Sequence, residues 1–182
     1  MKKEDQEILV ARLQSSETAD LAFSEMVKIF QRPIYFFVRR MVLDHDDAND
    51  VTQNVFIKAW KGLPKFRSES MLSSWLYRIA TNESITFLNK KKKIAGVPLD
   101  SIEHSLSANL EADVFYDGDE IQRKLQTAVA LLPDKQKAVF IMKYFEEKKY
   151  TEIAEITSTS VGALKASFHH AVKKIEQFLI EG

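Results

Sequence analysis

The chain has 182 residues, a net charge of zero and no cysteine, which excludes a disulfide framework, a cysteine-ligated metal site and a thiol nucleophile, and suits a reducing cytoplasm. No stretch approaches the roughly 20 apolar residues that span a bilayer, and the N-terminal MKKEDQEI lacks the apolar run of a secretory signal, so no membrane insertion is expected. Scarce glycine and proline with frequent periodic apolar runs point to an all-α protein.

Glu4 to Gln14 reads as a short first helix. Thr18 suits the N-cap of a second, with Ala22, Phe23, Met26, Val27 and Phe30 at helical spacing. Pro33 is expected to restart or bend the chain, opening a third helix through IYFFVRRMVL. The next begins in the DHDD cluster, where Asp46 or Asp47 can cap it, and runs to about Lys61, before Gly62 and Pro64. Its wheel gathers Ala48, Thr52, Val55, Phe56 and Ala59 on one side, a core face. The other side carries Asp46, Asp50, Gln53, Asn54, Ile57 and Lys61. An isoleucine among acids and amides suits a protein-binding surface, although single exposed apolar residues are common.

Phe66 to Lys93 reads as a polar turn leading into an amphipathic helix that ends in Lys90, Lys91, Lys92 and Lys93. Leu72, Leu76, Ile79, Ala80 and Phe87 form its apolar stripe; Met71, Trp75, Arg78, Asn82, Thr86 and Asn89 run beside it. Aromatic faces stack on unpaired bases, amides and arginine bond base edges, and lysines hold the phosphate backbone. On chemistry alone, Trp75 and Tyr77 as half-buried core beside a solvated lysine end is an equally open reading.

Residues 94–118 show no sustained period, hold Gly96, Pro98 and Gly118, and read as an acidic, flexible linker. The charge is laid out in blocks. Residues 61–93 carry 8 basic and 2 acidic side chains, residues 94–122 carry 7 acidic and no lysine or arginine, and residues 123–182 carry 10 basic and 7 acidic. Two basic blocks therefore flank a purely acidic one, a pattern more telling than the zero total. Two small helical domains are expected, 1–93 and 119–182.

In the second domain, helices are expected over Asp119–Leu132 and Pro133–Glu146. A short helix capped by Thr151, a turn at Ser158–Ser160 and a longer helix over Val161–Leu179 follow, the helix-turn-helix pattern. Val161, Leu164, Phe168, Val172, Ile175 and Leu179 face inward, whereas Gly162, Ala163, Lys165, Ala166, Ser167, His169, His170, Lys173 and Lys174 face out. Small residues at the front permit close approach to a DNA groove, and the later lysines suit phosphates. The adjacent His169 and His170 lack the i, i+4 spacing of a metal pair, and no cofactor motif or catalytic constellation stands out. The features fit a DNA-binding regulator or a helical interaction protein; a DNA-processing enzyme lacks its carboxylates or nucleophile.

Three collinear stretches narrow this. DDANDVTQNVFIKAW (46–60), FRSESMLSSWLYRIATN (66–82) and LPDKQKAVFIMKYFEEKKYTEIAEITSTSVGALKASFHHAVKKI (132–175) resemble the extracytoplasmic-function (ECF) sigma factors of bacterial RNA polymerase. The resemblance implies a non-enzymatic initiation factor without cofactor or metal, whose partners are core RNA polymerase, promoter DNA and an anti-sigma factor. Asp46, Asp50, Gln53, Asn54 and Ile57 would meet the β′ clamp helices. Phe66, Arg67, Trp75, Tyr77, Arg78, Asn82 and Lys90 to Lys93 would recognise and melt the −10 element, with Asn82 at the family's base-contacting asparagine. The linker would thread toward the active-site cleft and RNA exit path. The outward residues from Gly162 to Lys174 would read the −35 element, in a domain that also docks on the β flap. Thr86 and Asn89 stand where the family commonly has Asp and Arg, and Ala163, Ser167 and His170 where it often has Thr, Arg and Arg. The first two imply that the family's contact with the upstream edge of the −10 element is lost or altered; the recognition-helix departures imply weaker or unusual −35 recognition carried by Lys165, Lys173 and Lys174, since each lost phosphate contact lowers the salt slope by about one.

Overall fold

The computed structural model describes residues 3–66, 70–95 and 120–181, and these are helical apart from short turns. In the N-terminal unit α1 (Lys3–Gln14), α2 (Ala19–Val42), α3 (His45–Gly62) and α4 (Leu72–Ala95) form a bundle, with a short 3₁₀ turn (Leu63–Lys65) after α3. The C-terminal unit comprises α5 (Glu120–Ala130), α6 (Asp134–Phe140), α7 (Tyr150–Thr157) and α8 (Val161–Glu181). Nearly all of the expected linker, residues 96–118, lies outside the described residues.

The expected break at Pro33 does not occur: α2 runs continuously through it. Proline removes one intrahelical donor, but Met26, Phe30, Ile34, Phe37, Val38 and Met41 make one unbroken buried stripe. Burial of a large apolar side chain is worth about 1.5–3 kcal/mol each, and the proline leaves that stripe in register. Leu43 then ends α2 with a positive φ of 69°. Asp44, rather than Asp46 or Asp47, caps α3, its carboxylate accepting from the Asp47 N–H at 2.9 Å. That bond, opposed by partial burial, holds the Asp44 carboxyl below its usual range.

The C-terminal core is built on Val139, Ile141, Met142, Ile153, Ile156 and Leu164. After α6 the chain widens into a π turn (Ile141–Phe145), closed by the Glu146 N–H on the Ile141 carbonyl at 3.1 Å. The expected N-cap Thr151 lies one residue inside α7; instead the Glu152 carboxylate turns back to accept from the Lys149 N–H. Ser158 adopts the left-handed conformation at the end of α7, and the Ser160 hydroxyl accepts from the Ala163 N–H at the start of α8.

The two units touch. α4 packs on α7 and on α6, and α2 packs on α6 and the π turn.

Candidate protein-binding and nucleic-acid interfaces

The outward strip of α3 is exposed as expected: Asp46, Asp50, Gln53, Asn54 and Ile57 all meet solvent, Ile57 with 44% of its surface. Asp50, Gln53 and Ile57 form one wall of an open groove of about 780 Å³. Phe23 and Val27 of α2 form the other wall, and Trp60 lies against Phe23 edge-to-face at 4.8 Å. Asp46 and Asn54 do not line it. The α2 wall was hidden in the sequence because Phe23 and Val27 share the helical spacing of the core. Trp60, three residues beyond Ile57, carried the signal that the apolar strip continues. His45 is held between the Tyr35 hydroxyl at 2.8 Å and the Asn49 amide at 3.1 Å.

The α4 strip is divided by its surroundings. Asn82, Thr86 and Asn89 are exposed, and Trp75 is half-buried. Phe66 and Tyr77, expected at DNA, are buried instead. Phe66 lies under Trp75 at 4.9 Å, and its carbonyl accepts from the Gln14 side chain at 2.7 Å. Gln6 of α1 accepts from the Leu72 N–H at 3.0 Å, so α1 grips the chain on both sides of residues 67–71. Tyr77 is 3% exposed because its position on α4 turns it toward α2, where its ring meets Phe37 edge-to-face at 5.3 Å. Its hydroxyl donates to the Glu146 carboxylate at 2.9 Å; burial, then Glu146, push its pKa up, so it stays protonated. The Lys148 ammonium sits 3.7 Å from the Tyr77 ring centroid, and burial pulls that ammonium's pKa down.

Arg78, Ser74 and Met71 face the other unit. Arg78 donates to the carbonyls of Glu155 and Ile156, the second at 3.2 Å. The Glu155 carboxylate accepts from the Ser74 hydroxyl and the Met71 N–H, each at 3.1 Å. All four lysines of the run are exposed; Lys91 pairs with Asp47 and Lys92 with Asp134. Arg67 lies outside the described residues.

On α8 the outward residues Gly162, Ala163, Lys165, Ala166, His169, His170, Lys173 and Lys174 are exposed, and Ser167 is half-buried. A side chain built at Gly162 would meet nothing within 4 Å, so the front of the helix is open. Lys174 also reaches the Gln136 side chain at 3.3 Å. Leu179, expected inward, is 37% exposed; Ala171 is the fully buried residue in that half of the helix. Among the described residues no group of His, Asp or Glu is arranged to hold a metal ion.

A four-helix unit with an apolar groove is thus followed by a helix-turn-helix unit whose second helix has an open outward face. The sigma-70 region 2 family model matches residues 26–94 and the sigma-70 region 4 model residues 122–175. The chain is 31% identical to the ECF RNA polymerase sigma factor SigW of Bacillus subtilis, over 87% of this chain and 89% of that protein. It is 35% identical to the sigma factor SigV of the same organism, over 72% of this chain and 75% of that one. In fold it is similar to CnrH solved with the cytosolic domain of CnrY, at a TM-score of 0.70 and 19% identity, covering 97% of each chain. RpoE solved with the anti-sigma factor NepR from Bartonella quintana gives 0.65 and 19%, over 86% of this chain and 96% of that one. The chain belongs to the ECF sigma factors of RNA polymerase, and its function is promoter recognition and transcription initiation with core polymerase.

Proposed function

We propose that three faces divide this work. The groove between α2 and α3, with Asp50, Gln53 and Ile57 on one wall, receives the β′ clamp helices together with the exposed Asp46 and Asn54 of α3. The exposed Asn82, the Trp75 ring, Arg78, Arg67 and the free lysines Lys90 and Lys93 hold the melted −10 strand. Stacking and base capture there offset the few kcal/mol lost on unstacking. The outward face of α8, from Gly162 to Lys174, enters the −35 major groove. Domains of 1–93 and 119–182, joined by 94–118, carry these faces. The factor performs no chemistry itself and works in the cytoplasm; no helix among the described residues is long and apolar enough to cross a membrane. An anti-sigma factor is a further partner, by likeness to the relative solved with one.

The observation that carries this reading is Ile57, an apolar side chain left 44% exposed at a groove flanked by Asp50 and Gln53. Such a mixed apolar and polar face suits a partner helix. The test is transcription by purified chain and bacterial core polymerase from a promoter cut from its own upstream region. Transcripts with a defined start are expected, and Ile57→Asp should abolish them together with core binding. Full core binding by Ile57→Asp would overturn the assignment of the groove.

A further inference from the structure

The outward face of α8 carries two adjacent histidines. Successive residues on a helix turn by about 100°. Gly162, Ala166 and Lys173 therefore run along the middle of this face, opposite the buried Leu164, Ala171 and Ile175. His169 and His170 stand one on either side of that line, both exposed, their ring centroids 6.2 Å apart and their planes tilted by 53°. The middle of the face is low in front: Ala166 carries a single side-chain carbon, and a Cβ built at Gly162 would meet nothing within 4 Å. A helix with its side chains is about as wide as the DNA major groove, roughly 12 Å. Seated on its low middle, such a helix brings the residues on its two flanks against the two phosphate walls.

Neither imidazole has a counter-charge among the described residues. α5, α6 and α7 pack against α8. Their carboxylates are engaged elsewhere: Glu120 by Lys124, Asp134 by Lys92, Glu152 by the Lys149 N–H and Glu155 by Ser74. Their cations are Arg123, Lys124, Lys135 and Lys137, and their one phenol, Tyr150, meets α8 through Phe168. On α8 itself Lys165, Lys173 and Lys174 are exposed within about a turn of the pair, while Glu176 lies two turns beyond His169, about 10 Å along the axis. The field around both rings is therefore positive, and a phosphate would supply the charge they lack. We propose that His169 and His170 grip the phosphates of the −35 duplex as imidazolium ions, so that promoter binding by this chain takes up protons. The proposal rests on the −35 reading above and adds a chemical requirement to it. A neutral imidazole offers one N–H; a protonated one offers two and a positive charge. Histidine is the side chain that ordinarily changes charge between pH 5 and 8. A phosphate beside it favours the charged form. Binding is therefore strongest below the imidazole range and weakens as pH rises through it. Lysine contacts keep their charge across that window and give no such change.

The test uses core polymerase saturated with the full chain and a fluorescein-labelled promoter fragment cut from the chain's own upstream region. Affinity is measured by anisotropy at pH 6 and pH 8, each over a range of salt. Stabilising one imidazolium by half a pH unit is worth about threefold, so the native chain should bind roughly tenfold more tightly at pH 6 than at pH 8. The salt slope should be steeper at pH 6 by about two, one for each phosphate neutralised. The double variant His169→Gln, His170→Gln keeps polar side chains at two exposed positions, which guards against a folding defect; it should lose most of the pH step and of the slope difference. His170→Arg carries its charge at both pH values, so it should bind more tightly than the native chain at pH 8 and keep only the share of the step due to His169. A fragment truncated between the two promoter elements should bind more weakly and lose the step. An equal step in the native chain and the double variant, with truncation still weakening both, would overturn the proton linkage and leave the −35 reading standing. Native binding indifferent to truncation and to Lys173→Ala would overturn that reading and the inference with it. His170→Arg no tighter than the native chain at pH 8 would set residue 170 apart from the phosphates and also overturn it.

Discussion

Trp75 lies directly over Gly62: a Cβ placed on Gly62 would stand 3.1 Å from the ring carbon Cζ2. Phe66 also packs on the indole, ring centroids 4.9 Å apart and tilted by 42°. Gly62 has φ −88° and ψ −19°, ordinary helical values. Its backbone therefore needs no glycine; the tryptophan does.

The two effects of Gly62→Ala then oppose each other. Alanine favours a helix by about 0.5–1 kcal/mol over glycine, while crowding a packed ring costs roughly 1–3 kcal/mol. Net destabilisation of about 1 kcal/mol is expected in the native background. In a Trp75→Leu background the same change should be neutral or stabilising. A double-mutant cycle by urea unfolding checks this; identical effects of Gly62→Ala in both backgrounds would show that the ring contact does not matter.

The groove between α2 and α3 makes a second prediction, because its α2 wall was unforeseen. Phe23→Ala should weaken core-polymerase binding by about 1–2 kcal/mol, since a packed aromatic is lost from an interface. Stability should change less than for a core phenylalanine, because Phe23 is only partly buried. Ser15→Ala, on an exposed turn away from the groove, should leave binding unchanged. Core affinity measured by polymerase-tethered interferometry decides it; unchanged affinity for Phe23→Ala would confine the site to α3.

Tyr77 and Asn82 should separate cleanly, although both were expected at DNA. Tyr77 belongs to the core and Asn82 to the surface. Tyr77→Ala should cost about 3–5 kcal/mol of stability, the range for deleting a large buried ring. Asn82→Ala should fall within about 0.5 kcal/mol of the native chain, as surface changes do, and yet impair open-complex formation. Thermal melts and permanganate footprinting of the promoter read the two effects. A well-folded Tyr77→Ala with a melting defect would return Tyr77 to the DNA face.

The difference between those two residues shows how far the sequence reaches. Periodicity places a residue on a strip, and the α3 and α8 strips were legible because each lies opposite a clear apolar stripe. On α4 the strips adjoin, and a wheel cannot tell a tyrosine turned toward Phe37 from one turned to solvent. Pro33 misled for a related reason: its local preference is real, but the buried stripe through Ile34 and Phe37 outweighs it. The contact of Arg78 with the end of α7 joins residues 77 and 78 positions apart in sequence. Nothing in the local pattern of either helix encodes it, because each donor and acceptor also reads as ordinary surface.

Lys137 offers a test in pH. It is 4% exposed on α6, its ammonium 3.9 Å from Asp134, with the like charge of Lys92 nearby. Burial pulls its pKa from 10.5 down to about 8; Asp134 resists that shift and Lys92 adds to it. Below pH 8 the side chain is protonated both folded and unfolded, and the folded state bears the full cost of the buried charge. As pH rises from about 8 to 10.5, the folded chain releases the proton while the unfolded chain keeps it, so stability climbs. The full gain is on the order of 3 kcal/mol at 1.36 kcal/mol per unit. Lys148, also shifted down by burial, adds to the same climb. Lys137→Met should therefore be more stable than the native chain at pH 7, and that advantage should shrink by pH 9.5. Urea midpoints of the two proteins at both pH values measure it, with Lys148 common to both. A constant difference across that window would mean that the Lys137 ammonium is solvated in the folded chain.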